Sequence, residues 1–273
     1  MNYNRISAFA AHLRAEERSE ATVEKYVRSV DRFLNWLGDR ELSKEQVIAY
    51  KATLTASVST VNGAIAALNS FLCYLGHGDW RVKQLRAQRA TYRGEEKDLT
   101  KEEFTRLVRM AERQGSERLA RAIETIAATG IRVSELRFFT VEALRAQEVT
   151  ITNKGKTRTV LLTAELVKKL RDYCKRAGLR RGEIFITRSG RSLSRMQLWA
   201  EMKRLCRAAG VEPKKVFPHN LRHLFAVVHY RLHRDIAKLA DLLGHSSIDT
   251  TRIYLIETGK EHLRQLEAMR LVL

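Results

Sequence analysis

Apolar residues recur at three- and four-residue spacing along most of the chain, which predicts a mainly helical protein. Residues 4–17 read as a short helix. Ser19 then precedes ATVEKYVRSVDRFLNWLG, in which Val23, Tyr26, Val30, Phe33, Leu34 and Leu37 form one stripe and Gly38 is the stop. Lys25, Arg28 and Arg32 lie off that stripe. A third helix runs from Ser43, and a fourth from Ser57 or Ser59 to Gly76. Four helices in so short a span imply a small all-α bundle.

Residues 77–98 break the rhythm with weak periodicity and many charges, and read as a connection between domains. Its basic half, Arg81 to Arg93, suits a phosphate backbone or plain solvent equally. Periodicity resumes at Thr100, whose spacing to Glu103 is that of a capping box. A helix ends at Gly130, and IRVSELRFFTVEAL is expected to begin another. EVTIT and TRTVLLT alternate or are β-branched around NKGK, which predicts a hairpin with Lys154 and Lys156 at its tip. A further strand is expected at EIFIT, 183–187. Helices follow over 219–232, 234–243 and 248–256, and Leu263, Leu266, Met269 and Leu271 give the final segment an apolar side. The domains expected are 1–78, a connection over 79–98, and 99–273.

Composition narrows the class. The 273 residues suffice for two domains with separate cores. No run of about 18 apolar residues occurs, so no membrane span is expected. The N-terminus turns charged too early for a secretory signal. Cys73, Cys174 and Cys206 sit far apart in apolar helical contexts and read as buried thiols in a reducing cytoplasm. The net charge of +19 is uneven, with +4 in residues 1–92 and +15 in residues 93–273. Such a field attracts polyanions, of which nucleic acid is the commonest.

The stretch 218–254 carries the densest candidate chemistry. His219 and Arg222 are three apart and share a helix face. His245 follows the helix-ending Gly244, and Tyr254 comes after the polar turn SSIDTT. An arginine offers a planar fork to two phosphate oxygens, an imidazole passes protons, and a phenol is an oxygen nucleophile. Arg132 falls just past the glycine break, a natural place for an anion. His219 and His223 have the spacing of a helical zinc pair, but no glutamate or third ligand accompanies them, so no metal is expected. His223, His229 and His233 read as packing or surface histidines.

Five stretches, ATGIRVSEL (128–136), TNKGKTRTV (152–160), HNLRH (219–223), LLGH (242–245) and TTRIY (250–254), resemble in order and spacing the tyrosine recombinase (phage-type integrase) family. The absence of a further domain before the bundle resembles its simple Xer-like class. The resemblance covers nearly the whole chain. It implies a mainly α fold with a small β-sheet: an N-terminal four-helix core-binding (SAM-like) domain and an α+β catalytic domain, closed as a C-shaped clamp on duplex DNA. It implies site-specific DNA breakage and rejoining through a 3′-phosphotyrosyl intermediate at Tyr254, in integration and excision of mobile elements or in Xer-type resolution. Arg132 and Arg222 would clamp the phosphate, which requires no metal, and no cofactor is implied. Lys154 would be the general acid, with Lys156 its competitor. His219 would assist proton transfer with Tyr254, His245 would hydrogen-bond a phosphate oxygen, and Glu135 would buttress the site. DNA contacts would come from Thr22, Lys25, Arg28, Thr60, Asn62 and Arg158. The implied partners are a double-stranded recombination site, a homo-tetramer on two duplexes built by the 259–273 tail, and accessory proteins in some roles. Many members carry arginines where the fourth helix here reads NGAIAALNS.

Overall fold

Four helices form where the apolar stripes place them: α1 (Asn2–Ala15), α2 (Glu20–Leu37), α3 (Lys44–Thr53) and α4 (Val58–Tyr74). The computed structural model describes residues 2–86, 98–153, 155–254 and 259–270. The chain divides into two compact units, Met1–Arg89 and Ala90–Leu273. In the first, Phe9, Val30, Phe33, Phe71 and Leu72 are removed from water, each burial stabilising by about 1.5–3 kcal/mol. Ser43 and Ser57 accept from the N–H groups of Gln46 and Thr60, which satisfies otherwise orphaned donors at two helix starts.

Residues 79–86, within the segment read as a connection, are laid against this bundle by side chains that imitate a strand partner. Asn69 donates to the Val82 carbonyl and accepts from its N–H, both at 3.0 Å. Asn62 treats Leu85 the same way at 2.9 and 2.7 Å. Residues 87–97, including the rest of that basic half, lie outside the described residues.

The second unit opens with α5 (Lys101–Arg113), started by the Thr100–Glu103 capping box, and α6 (Glu117–Thr129). Ile123 and Ile126 of α6 are buried in a core that includes Leu107, Leu170, Leu198 and Met202. The helix expected after Gly130 does not form as a regular one. A 3-10 turn occupies Val133–Phe138, then comes the short α7 (Ala143–Ala146). Two hydrogen bonds, one local and one distant, explain the difference. Glu135 turns back to the Arg132 N–H, and the Phe139 carbonyl accepts from Ile184 instead of from a helical partner.

The hairpin forms as β1 (Glu148–Asn153) and β2 (Lys156–Leu161), antiparallel, from Glu148↔Leu161 to Asn153↔Lys156. The expected strand at 183–187 does not form. Thr140↔Glu183 and Ile186↔Ser192 are isolated bridges. Then follow α8 (Ala164–Arg176), α9 (Arg195–Ala209), α10 (Pro218–His233), α11 (Ile236–Leu243), α12 (Ile248–Arg252) and α13 (Gly259–Ala268). The helix expected over 248–256 stops at Arg252, Tyr254 lies in the turn beyond it, and 255–256 are outside the described residues. Cys174 and Cys206 are buried, whereas Cys73 is exposed, contrary to its apolar sequence context.

Candidate active site

Two helix ends and one helix start meet at the site. Helix α6 stops at Gly130, which is in the left-handed conformation at φ +66°. Helix α11 stops at Gly244, at φ +63°, and the His245 N–H folds back to the Ala240 carbonyl at 3.0 Å. Helix α10 starts at Pro218, whose missing N–H costs nothing in a first turn. Its next turn sends Arg222 between the two stops. Arg222 donates to the Gly130 carbonyl and to the Leu243 carbonyl, both at 2.7 Å. It also reaches His245 Nε2 at 2.8 Å. With Arg222 2 % exposed, these acceptors offset the burial of its charge.

A second guanidinium system adjoins this one. The Glu135 carboxylate, 1 % exposed, accepts from the Arg132 N–H at 2.8 Å and Arg132 Nη1 at 3.1 Å. Arg158 reaches both its oxygens, at 3.0 and 2.8 Å. Burial alone would raise the Glu135 carboxyl, but the Arg158 fork and the Arg132 N–H outweigh it and hold it below the ordinary carboxylate range. Arg132 also extends Nη2 to the Gly244 carbonyl at 3.4 Å. Arg132 thus faces the same turn that carries His245.

Tyr254 is 4 % exposed and packs with Ala226, Leu239 and Leu243. Its hydroxyl is 3.4 Å from His219 Nε2. Its ring stacks on His245, with centroids 5.8 Å apart and planes 11° from parallel. His223, read as a packing histidine, meets the same ring edge-on at 5.3 Å. The structure therefore brings together Arg132, Glu135, His219, Arg222, His245 and Tyr254 from segments far apart in the chain. Lys154 lies outside the described residues. Lys156, its competitor, donates to Ser246 Oγ at 3.0 Å across the cleft mouth.

The cleft beside this cluster has a volume of about 560 Å³ and is lined by Arg132, Lys156, Arg158, Asp241, His245 and Ser246. Arg132 and Arg158 bond the buried Glu135 carboxylate and Arg222 adds a third guanidinium held by carbonyls, so the site carries an excess of positive charge suited to a phosphodiester. That charge acts on His245. Burial first, then Arg222, Arg132 and Arg158, push its imidazole down to about 4. Arg222 itself is pushed down by burial and by Arg132.

The residues expected to touch DNA fare unevenly. Arg158 is occupied by Glu135, which makes it a brace of the site in this structure. The Asn62 amide is committed to the Leu85 peptide. Thr60 and Thr22 share hydrogen bonds with the helix-start serines Ser57 and Ser19. Lys25 and Arg28 are exposed, Arg28 donates to the Glu24 carbonyl at 3.3 Å, and Lys25 Nζ would be 3.0 Å from a Cβ placed on Gly63, so α2 and α4 share that face. Sequence reasoning missed Thr251, whose hydroxyl is 2.8 Å from His245 Nδ1. The available signal was its place in TTRIY, one helical turn before the tyrosine.

Comparison with known proteins identifies the family and the fold. The pattern of the phage integrase family matches residues 97–261, and that of the phage integrase N-terminal SAM-like domain matches residues 6–77. The tyrosine recombinase XerA of Thermococcus kodakarensis is 31 % identical over 273 residues, covering 96 % of this chain and 93 % of the relative. A crystal structure of XerA recombinase covers 100 % of both chains at 26 % identity with a TM-score of 0.55. The XerH site-specific recombinase, solved bound to its difH substrate before cleavage, is 19 % identical with a TM-score of 0.71, over 95 % of this chain and 82 % of that one, a likeness of fold.

Proposed function

The chain belongs to the phage integrase family, the tyrosine-type site-specific DNA recombinases, and on that premise we propose that Tyr254 is its nucleophile. The observation that carries the reading is the Tyr254 hydroxyl, 3.4 Å from His219 Nε2 and in a cluster with Arg222 and His245. The substrate is duplex DNA. Arg132 and Arg222 donate to the non-bridging oxygens of the scissile phosphate, where negative charge is concentrated as the phosphorus is attacked. Phenols are mostly protonated at neutral pH and poor nucleophiles unaided, so His219 receives the Tyr254 proton as the oxygen–phosphorus bond forms.

The phosphorus–O5′ bond breaks, and Lys154 returns a proton to the leaving oxygen. The products are a 3′-phosphotyrosyl ester and a free 5′-hydroxyl. One phosphate ester is exchanged for another, so a 5′-hydroxyl from a second strand reverses the step without an external energy source. His245 donates to a phosphate oxygen, and Glu135 holds Arg132 in place.

The four-helix unit, 1–78 by the sequence reading, grips the DNA next to the cleavage site, with Lys25 and Arg28 among its exposed basic residues. The catalytic unit is 99–273. Four protomers act on two duplexes, joined by the tail from 259 onward. The work is that of mobile-element integration and excision or of Xer-type resolution, with accessory proteins in some roles. Among the described residues no helix is long and apolar enough to cross a membrane, and our reading puts the enzyme's work on DNA in the cytoplasm.

The test begins with a duplex selected from a random-sequence library by binding to this protein. Nicked so that the cleaved product is lost, that duplex should trap a covalent adduct with wild-type protein and none with Tyr254→Phe at equal DNA affinity. An adduct that persists in the phenylalanine variant rejects Tyr254 as nucleophile. A bound duplex that is never cleaved would indicate a DNA-binding protein without the chemistry.

A further inference from the structure

Thr251 is fully buried, and a buried hydroxyl needs a partner. Its Oγ1 lies 2.8 Å from His245 Nδ1, and its carbonyl accepts from the Tyr254 N–H at 3.0 Å. One residue therefore holds the histidine by its side chain and the tyrosine by its backbone. The direction of the His245 bond follows from its other side. A guanidinium has no lone pair to offer, so at 2.8 Å from Arg222 the Nε2 atom is the acceptor. The proton of the neutral ring then sits on Nδ1 and points at Thr251.

A histidine that donates to a phosphate oxygen through Nε2 needs the opposite tautomer. Burial and the surrounding guanidiniums keep His245 from charging easily, so the ring must change tautomer rather than gain a proton. Its Nδ1 then becomes an acceptor and requires a donor. A carbonyl or carboxylate there cannot donate. A hydroxyl can accept in one state and donate in the other.

We propose that Thr251 is a positioning residue for strand cleavage, its hydroxyl accepting from His245 Nδ1–H in the empty site and donating to Nδ1 when Nε2–H faces the phosphate. Its backbone meanwhile seats Tyr254 against the same imidazole. The inference rests on the roles proposed for His245 and Tyr254.

The test uses the full chain with Thr251→Val, which keeps the shape and removes the hydroxyl, and Thr251→Ser, which keeps the hydroxyl. Nitrogen-15 spectra of the His245 ring, assigned against His245→Gln, report the tautomer without any need for activity. All three proteins should show the Nδ1–H form when unbound, since Arg222 fixes it. On the selected duplex wild type and T251S should shift to the Nε2–H form and T251V should shift less. On the selected nicked duplex, T251V should form the covalent adduct about 10–100-fold more slowly at unchanged affinity, the usual scale for losing the partner that orients a reacting group. T251S should stay within about threefold of wild type.

A T251V protein whose His245 shifts to the Nε2–H form on the duplex as fully as wild type overturns the inference, as does one that cleaves at the wild-type rate. Equal slowing of T251V and T251S also overturns it, because lost packing would then be the cause. A wild-type protein that forms no adduct instead defeats the Tyr254 reading, which the spectra do not depend on.

Discussion

His245 shows how a single side chain can make the fold sensitive to pH. An imidazole ordinarily titrates near 6.5, and in this site it is pushed down to about 4 by burial and by Arg222. Between those values the unfolded chain binds a proton that the folded chain refuses. The stability associated with this group is therefore fully present above about pH 6.5, falls as the pH drops towards about 4, and is level below that. From pH 7 to pH 5 the loss from this residue is about 2 kcal/mol. His245→Gln cannot titrate, so its urea midpoint should fall less over that interval than the wild-type midpoint. Glu135 contributes in the same direction at lower pH. Its carboxyl is held down by Arg158 and Arg132, so its stabilisation is present at neutral pH and is lost as the carboxylate protonates. H245Q and wild type share that second slope. Parallel pH profiles for H245Q and wild type would mean that His245 is not the neutral, guanidinium-bound group described above.

At the scale of elements, the parts of the fold fixed by local chemistry were legible in the sequence, and the parts fixed by distant partners were not. Apolar spacing and capping residues located α2 and α5 because the Val23–Leu37 stripe and the Thr100–Glu103 box are complete within the segment. The segment after Gly130 misled because Ile184 takes the Phe139 carbonyl from more than forty residues away. Residues 79–86 misled in the same way, since their partners are the amides of Asn62 and Asn69. The site was legible as a set of motifs, but two features needed coordinates. Arg158 could be read as a DNA contact until its fork was seen to close on Glu135, and Thr251 is defined by a ring nitrogen six residues earlier. Gly130 marks where three elements meet. A Cβ there would lie 2.5 Å from Phe225 Cδ1 on α10 and 2.9 Å from Leu243 Cδ2 on α11, at a backbone φ of +66°. Gly130→Ala combines left-handed strain with overpacking and should cost roughly 2–4 kcal/mol in a urea titration. It should also slow adduct formation, because the Gly130 carbonyl is a seat of Arg222. A loss under about 1 kcal/mol would mean that the three elements can part without cost.

At the scale of the molecule, an apolar face on the tail and an apolar groove in the same unit are both exposed among the described residues. Leu263, Leu266 and Met269 on or just beyond α13 are 56 %, 50 % and 56 % exposed, and their spacing puts them on one side of the tail. Leu271, expected to extend that side, lies outside the described residues. A groove of about 620 Å³ in the same unit is lined by Phe104, Leu166, Phe225, Val228 and Leu232 among others, with Leu232 73 % exposed. We take the occupant of this groove to be the tail of a neighbouring copy, a head-to-tail contact that can close into a ring. Each leucine buried there would stabilise the assembly by at most about 1.5–3 kcal/mol, so one charge should suffice to break it. Leu263→Glu on the tail and Leu232→Glu in the groove should each abolish strand exchange between two duplexes. Binding of one protomer to one selected site should persist. Unfolding distinguishes docking in trans from docking in cis. If the tail reaches a neighbour, the urea midpoint of dilute L263E protein should correspond to a change within about 0.5 kcal/mol, as for other surface substitutions. If the tail lies in its own groove, the midpoint should fall by the burial just estimated, and strand exchange by wild type should not depend on a partner's groove. Strand exchange at the wild-type rate in L232E would exclude this groove as the acceptor.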